Sequence, residues 1–275
     1  MKQRNDVLNI SGKVVQEDIE SVLHLLADAA SEESMQFFRK KNSVENKWDT
    51  GFDPVTQADK NAEIAIRKVL AEQRPKDGIL GEEFGLTKGT NDLTWVLDPI
   101  DGTRSFILGQ PTWGTLAALC DKNGPIWGVM DQPFTKERFI GGPNIAKMFH
   151  DGNEIPLKTR NCSDISKAHI VFPSSYRKEI RPIAENLSDI YDSAELGRAS
   201  GDCYRYALIA MGGLDAVIDL GLQSYDICAM IPIVESAGGI VTDWNGDPCH
   251  DGGKILACGD KNLHSKLVDI LSKIN

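Results

Sequence analysis

Apolar residues recur at helical spacing early in the chain. Ile19, Val22, Leu23, Leu26, Ala30, Phe37 and Phe38 predict a long amphipathic helix over 16–41, after a polar lead-in at 1–10. A second helix is expected over 56–73, where Ala62, Ile64, Ala65, Ile66, Val69 and Leu70 carry the pattern and Pro75 follows its end. The period then shortens. Residues 78–80, 94–97, 114–120, 126–130 and 138–141 read as short strands, and 147–150 and 155–157 flank a hairpin turn at Asp151-Gly152-Asn153. Beyond Lys167 the elements alternate, with strands expected at 169–172, 189–196, 216–220, 240–243 and 255–258. The intervening helices are expected at 176–187, 203–211, 225–237 and 262–274. The first part predicts an α+β half with a mostly antiparallel sheet, and the second a layered α/β half. We expect residues 1–160 and 161–275 to form these two halves, meeting near 158–167.

Composition narrows the function classes. The 275 residues have ordinary globular proportions, 41% hydrophobic and 25% charged, which excludes a disordered or collagen-like chain. Lys and Arg total 30 against 40 Asp and Glu, a net charge of −10 that argues against a nucleic-acid binder. No apolar run is long enough for a membrane span, and the start MKQRNDVLNI has no apolar signal core, so a cytoplasmic protein is expected. The six cysteines show no CxxC pair and read as reduced, mostly buried thiols. Cys249-His250-Asp251 reads as a surface loop rather than a soft-metal site.

Four acidic segments carry candidate chemistry: Asp53-Pro-Val-Thr-Gln-Ala-Asp59, Gly81-Glu82-Glu83, Trp95-Val-Leu-Asp98-Pro-Ile100-Asp101-Gly102-Thr103, and Ser224-Tyr225-Asp226. The third is the most informative. An apolar strand delivers Asp98 at its end, Pro99 is expected to stop it, and a tight turn brings Asp101 beside Asp98. Two carboxylates that close raise each other's pKa unless a cation lies between them, and hard oxygen ligands suit Mg²⁺. Gly102-Thr103 then opens a helical turn whose N–H groups suit a phosphate. Each segment also has a plain structural reading. Asp98 to Gly102 could be a solvated turn, Glu82-Glu83 an exposed pair, and Asp226, Asp53 and Asp59 helix caps.

In their order and spacing, these segments together with Glu235-Ser-Ala-Gly-Gly239 resemble the inositol monophosphatase family over roughly residues 20–270. Within it, the run from Asp101 to Leu119, Ser200-Gly-Asp-Cys-Tyr204, and Gly221 to Asp226 are similar to histidinol-phosphate phosphatases of this fold. Inositol-specific members usually have Trp-Asp where Tyr225-Asp226 stands here, and Asn-Phe where Ser105-Phe106 stands.

The resemblance implies a layered αβαβα sandwich, a homodimer, and two to three Mg²⁺ ions. It implies that Glu82, Asp98 and the Ile100 carbonyl hold one ion and Asp98, Asp101 and Asp226 another, with Asp59 in support and Glu83 behind the ligands. Glu82 and Thr103 would activate water for in-line attack, and Gly102 and Thr103 would hold the phosphate. The implied activity is hydrolysis of the small phosphomonoester histidinol phosphate, in histidine biosynthesis. The alternatives are an inositol-1-monophosphatase, a broader sugar-phosphate or nucleotide phosphatase, and a non-catalytic partner-binding protein. Because histidinol phosphate carries an amine and an imidazole, Asp202 and Asp219 are candidate contacts for it. Arg104 and Arg198 are candidates for the rim and Tyr225 for the leaving group. Structural readings stand beside three of them: a helix cap for Asp202, a strand-end surface acid for Asp219 and a core role for Tyr225.

Overall fold

A computed structural model describes residues 12–40, 44–46, 54–173, 181–199 and 201–274. The lead-in 1–10, Lys41, Asp53, residues 176–180 of an expected helix, and Ser200 lie outside the described residues. The first half runs α1 (Gly12–Ser34), β1 (Val44–Asn46), β2 (Pro54–Thr56), α2 (Gln57–Gln73), β3 (Gly78–Gly81), β4 (Gly85–Thr87) and β5 (Thr94–Asp101). It continues through α3 (Thr103–Leu108), β6 (Gly114–Asp121), β7 (Gly124–Gln132), β8 (Glu137–Gly142), β9 (Ile145–His150) and β10 (Asn153–Pro156). The second half runs β11 (His169–Phe172), α4 (Arg181–Glu185), α5 (Ser188–Ser193), β12 (Leu196–Ala199), α6 (Tyr204–Ala210) and β13 (Ala216–Gln223). It ends with α7 (Ser224–Ile227), α8 (Met230–Ser236), β14 (Ile240–Thr242), β15 (Gly252–Cys258) and α9 (Lys261–Leu271).

Two large sheets result. The eight-stranded sheet has the order β10-β9-β8-β7-β6-β5-β3-β4 and is antiparallel except where β3 meets β5. The five-stranded sheet, β12-β11-β13-β15-β14, is parallel across its first strands and antiparallel across its last. Strand alternation sorts side chains into layers. Trp95, Leu97, Ala117 and Leu119 pack against Leu23 and Leu26 of α1 and Ile66 and Leu70 of α2. Their neighbours Val96, Leu116 and Ala118 face the other way, joining Tyr206, Ile227 and Ile233 of the middle helices and Val171, Val217 and Ala257 of the second sheet. Ile170, Ile218 and Leu256 turn outward onto Leu187, Ile190, Leu263 and Leu267. The stacking is αβαβα, with one continuous apolar core between the sheets. Truncating Leu116, fully buried in that core, to Ala would cost about 2–5 kcal/mol.

Several boundaries differ from the sequence reading. Residues 189–196 are not a strand: α5 occupies most of them, because Leu187 and Ile190 fall three apart on one buried face while Asp189, Tyr191, Asp192 and Ser193 face solvent. Only Leu196–Ala199 pairs with β11, as an exposed edge strand without apolar alternation. The helix expected over 225–237 is broken into α7 and α8. Pro232 has no N–H for the carbonyl of Cys228, yet it is tolerated in the first turn of a new helix. Strands β1, β2 and β4 were not anticipated. The hairpin is confirmed, with Asp151 and Gly152 both at positive φ, 47° and 77°. All six cysteines are free, and five are buried.

Candidate active site

Pro99 does not end its strand. β5 continues to Asp101, and the pairing with β6 slips there: Asp98 sits opposite Leu116 and Asp101 opposite Gly114. Three steps on β5 thus match two on β6, a one-residue bulge. Pro99, which cannot donate to the ladder, lies within it, and its carbonyl accepts from Thr115 Oγ1 at 2.8 Å. In a regular strand, residues three apart point to opposite faces. The bulge resets that alternation and turns Asp98 and Asp101 toward each other. Asp98 is 2% exposed, and its Oδ1 accepts the Ile100 N–H at 3.1 Å.

Gly102 follows in the left-handed region, φ 85°, and starts α3. A Cβ there would stand 2.5 Å from Asp202 Cγ, so glycine is required by conformation and by space. Asp202 is held by Thr112 Oγ1, which donates to it at 2.5 Å, and the next residue's N–H, that of Cys203, donates to Asp101 Oδ2 at 2.6 Å. Thr103 Oγ1 donates to the Ile100 carbonyl at 3.3 Å. The second half supplies Asp226 from α7, fixed by a reciprocal cap in which its Oδ2 accepts the Gln223 N–H at 2.6 Å. Asp226 is therefore a helix cap, as the plain structural reading of it expects.

Ligand oxygens of Asp98, Asp101 and Asp226 all lie within 4.8 Å of one another. Burial holds Asp98 well above the ordinary carboxylate range, and the charges of Glu82, Asp101, Asp226 and Asp59 push it the same way. Burial also raises Asp101, with Asp226 and Asp202 adding to the shift and the Cys203 hydrogen bonds opposing it. Glu82 and Asp59, distant in sequence, therefore act on the same point. The donors are all hard oxygens, with no imidazole or thiolate among them, and this set fits Mg²⁺ rather than a soft metal.

The remaining predicted residues divide. Asp202 adjoins Asp101 and Gly102. Arg104 and Tyr225 are half-buried in α3 and α7, Tyr225 against the central core. Arg198 is exposed on edge strand β12. Asp219 is neither a strand-end surface acid nor presented to a ligand. β13 runs past it to Gln223, and its buried carboxylate takes the guanidinium of Arg205 and the hydroxyl of Tyr206. Glu83 turns its backbone N–H to Glu63 Oε2 at 2.7 Å. Four residues around the site were not anticipated: Glu63, Arg67, Thr112 and Arg205. The signal for the first was available, since an acid within the apolar stripe Ala62, Ile66, Leu70 is out of pattern.

Comparison with known proteins agrees with this geometry. The profile of the inositol monophosphatase family matches residues 15–275. The chain is 38% identical over 264 residues to the chloroplastic bifunctional phosphatase IMPL2 of Arabidopsis thaliana, covering 91% of this chain and 74% of that protein. It is 34% identical over 244 residues to a histidinol-phosphatase of Chlorobaculum parvum, covering 88% and 92%. It superposes on an inositol monophosphatase from Zymomonas mobilis with a TM-score of 0.81, at 36% identity over 93% of this chain and 98% of that one. A bulged strand presenting paired aspartates, a third aspartate from the other half and a profile spanning nearly the whole chain lead to one conclusion: this protein belongs to the inositol monophosphatase family of metal-dependent phosphatases.

Proposed function

We propose that the chain is a Mg²⁺-dependent phosphomonoesterase that hydrolyses histidinol phosphate to histidinol and phosphate. The observation that carries the phosphatase reading is the convergence of Asp98, Asp101 and Asp226. These three, with Glu82 and the Ile100 carbonyl, would hold two to three ions. Bound there, Mg²⁺ would supply Lewis-acid polarisation of the phosphoester and lower the pKa of water. The Glu82 carboxylate accepts a proton from the attacking water, and Thr103 Oγ1, fixed near the Ile100 carbonyl, orients it. Asp59 supports Glu82 from α2. The first amides of α3, after Gly102, face the phosphate oxygens. Water attacks phosphorus in line, the ester P–O bond on the opposite side breaks, and the departing oxygen takes up a proton, which Glu82 or solvent water can return, to give the alcohol and inorganic phosphate.

Two observations support the choice of substrate. Asp202 adjoins Asp101 and offers a carboxylate to a protonated amine. The Chlorobaculum relative is a histidinol-phosphatase. The inositol reading is favoured by the Zymomonas structure at comparable identity. Phosphate release from histidinol phosphate, inositol 1-phosphate and adenosine 3′,5′-bisphosphate in Mg²⁺ separates these readings. We expect kcat/KM for histidinol phosphate to exceed the others by about 10-fold or more, the scale of one added charge-assisted contact. A preference for inositol 1-phosphate would install the second reading. Inactivity toward every ester would favour a non-catalytic partner-binding protein.

A further inference from the structure

The buried face of α2 carries a carboxylate one turn beyond Asp59. Glu63 is fully buried, and its oxygens accept the backbone N–H groups of Glu83 at 2.7 Å and Phe84 at 3.3 Å. Arg67, one turn further on, donates from Nε to Glu63 Oε1 at 2.7 Å. Its other nitrogens reach the Gly85 carbonyl at 2.6 Å and Thr87 Oγ1 at 3.0 Å. Gly81 leaves room for this contact, since a Cβ there would stand 1.9 Å from Glu63 Oε1. The turn so gripped contains Glu82, whose N–H donates to the Leu97 carbonyl at 3.2 Å, directly before Asp98.

We infer that Glu63 and Arg67 are positioning residues that clamp the 82–85 turn and thereby set the place of the Glu82 carboxylate relative to Asp98. β4, which follows the turn, is a three-residue edge strand with exposed side chains, so apolar burial does little to hold Glu82 in place. A buried Glu–Arg pair is no stronger a source of stability than an apolar pair of similar volume. What the ionic pair supplies is direction: oxygens aimed at successive N–H groups, and a guanidinium aimed at the carbonyl and hydroxyl beyond them. Groups of this kind behind a metal ligand typically alter metal affinity by about 10- to 100-fold when removed.

The inference rests on the proposed reading that Glu82 holds a cation, and the test separates the two. Mg²⁺ is titrated calorimetrically into the metal-free protein without substrate, for wild type, Glu82→Ala, Glu63→Ala, Glu63→Gln and Gly81→Ala, with circular dichroism as the check on folding. Glu63→Ala and Gly81→Ala are expected to weaken Mg²⁺ binding by about 10-fold or more in a folded protein. Glu63→Gln keeps an acceptor for the Glu83 N–H and should lose less. Should Glu63→Ala fail to fold, Gly81→Ala carries the same test, because its methyl group displaces the Glu63 carboxylate. Unchanged Mg²⁺ affinity in the folded Glu63 and Gly81 variants, with weakened binding in Glu82→Ala, overturns the clamp alone. Unchanged affinity in Glu82→Ala as well overturns the ligand assignment, and the clamp with it.

Discussion

Asp98 and Asp131 lie two strands apart in the same sheet, on β5 and β7, and both are almost fully buried. Around Asp131 the chain supplies its own cation. Arg138 Nε meets the carboxylate at 2.7 Å, and the same guanidinium reaches Asp28 at 2.7 Å, tying the sheet to α1. Burial raises Asp131 to about 6, with Arg138 opposing the shift. Asp219 is treated in the same way by Arg205. Around Asp98 the strongest neighbouring charges are those of four further carboxylates, and all of them act in the same direction as burial. A buried acid paired with arginine needs nothing from outside the chain. A group of acids arranged against one another is costly until a divalent cation joins it.

Substitutions should separate the two environments. Asp98→Asn is expected to lower phosphatase activity by about 10³-fold, since several kcal/mol of charge stabilisation go with the cation at ~1.36 kcal/mol per tenfold. The same substitution should raise the melting temperature of the metal-free protein, because it removes a repelled charge and keeps an acceptor for the Ile100 N–H. Equal activity, or a lower melting temperature without metal, would dissolve the contrast. Asp219→Ala should behave oppositely, destabilising the fold by about 3–5 kcal/mol in chemical denaturation by leaving the buried Arg205 unpaired.

A smaller effect is expected from the metal itself. Mg²⁺ at 100 times its Kd should stabilise the protein by about 2.7 kcal/mol, read as a rise in Tm. That gain should grow as pH rises. Asp98 and Asp101 are held well above the ordinary range, so protons occupy them at low pH and leave as the cation enters. A gain independent of pH would contradict this origin.

A comparable effect, confined to mildly acid pH, should come from Asp131. Its carboxyl is raised in the folded state from 3.8 to about 6, so the native protein binds the proton more tightly than the unfolded chain. Its contribution is present below pH ~4 and is lost as pH rises through about 6. Relative to Asp131→Asn, the wild type should therefore lose about 3 kcal/mol across that window, or roughly 6–12 °C of Tm at roughly 2–4 °C per kcal/mol. A flat difference would mean that Arg138 offsets the burial completely.

Much of this arrangement was legible in the sequence, where local pattern and local chemistry coincide. Buried strands such as Trp95-Val96-Leu97 announce themselves by unbroken apolar runs, and Asp98, Asp101 and Asp226 by short-range motifs. Failures came where tertiary context decides. The edge strand Leu196–Ala199 is exposed and carries no alternation, so the sequence pattern does not separate it from its neighbour α5. Pro99 reads as a strand stop, and only pairing with β6 reveals a bulge that lets β5 continue. Asp219 reads as a substrate contact or a surface acid because its partner, Arg205, sits 14 residues earlier on α6, and only the packing of α6 against β13 brings the two together. An acid in a helix ordinarily faces solvent, so Glu63 is marked only by its place beside the apolar stripe of α2.

The central claim is that Asp98, Asp101 and Asp226 together hold a divalent cation, and Mn²⁺, which anomalous scattering locates directly, tests it best. Crystals equilibrated with Mn²⁺ at a concentration that saturates phosphatase activity should show an anomalous peak in contact with all three carboxylates. Crystals under the same conditions with no peak there, or with the three side chains turned to separate regions of solvent, would contradict the account.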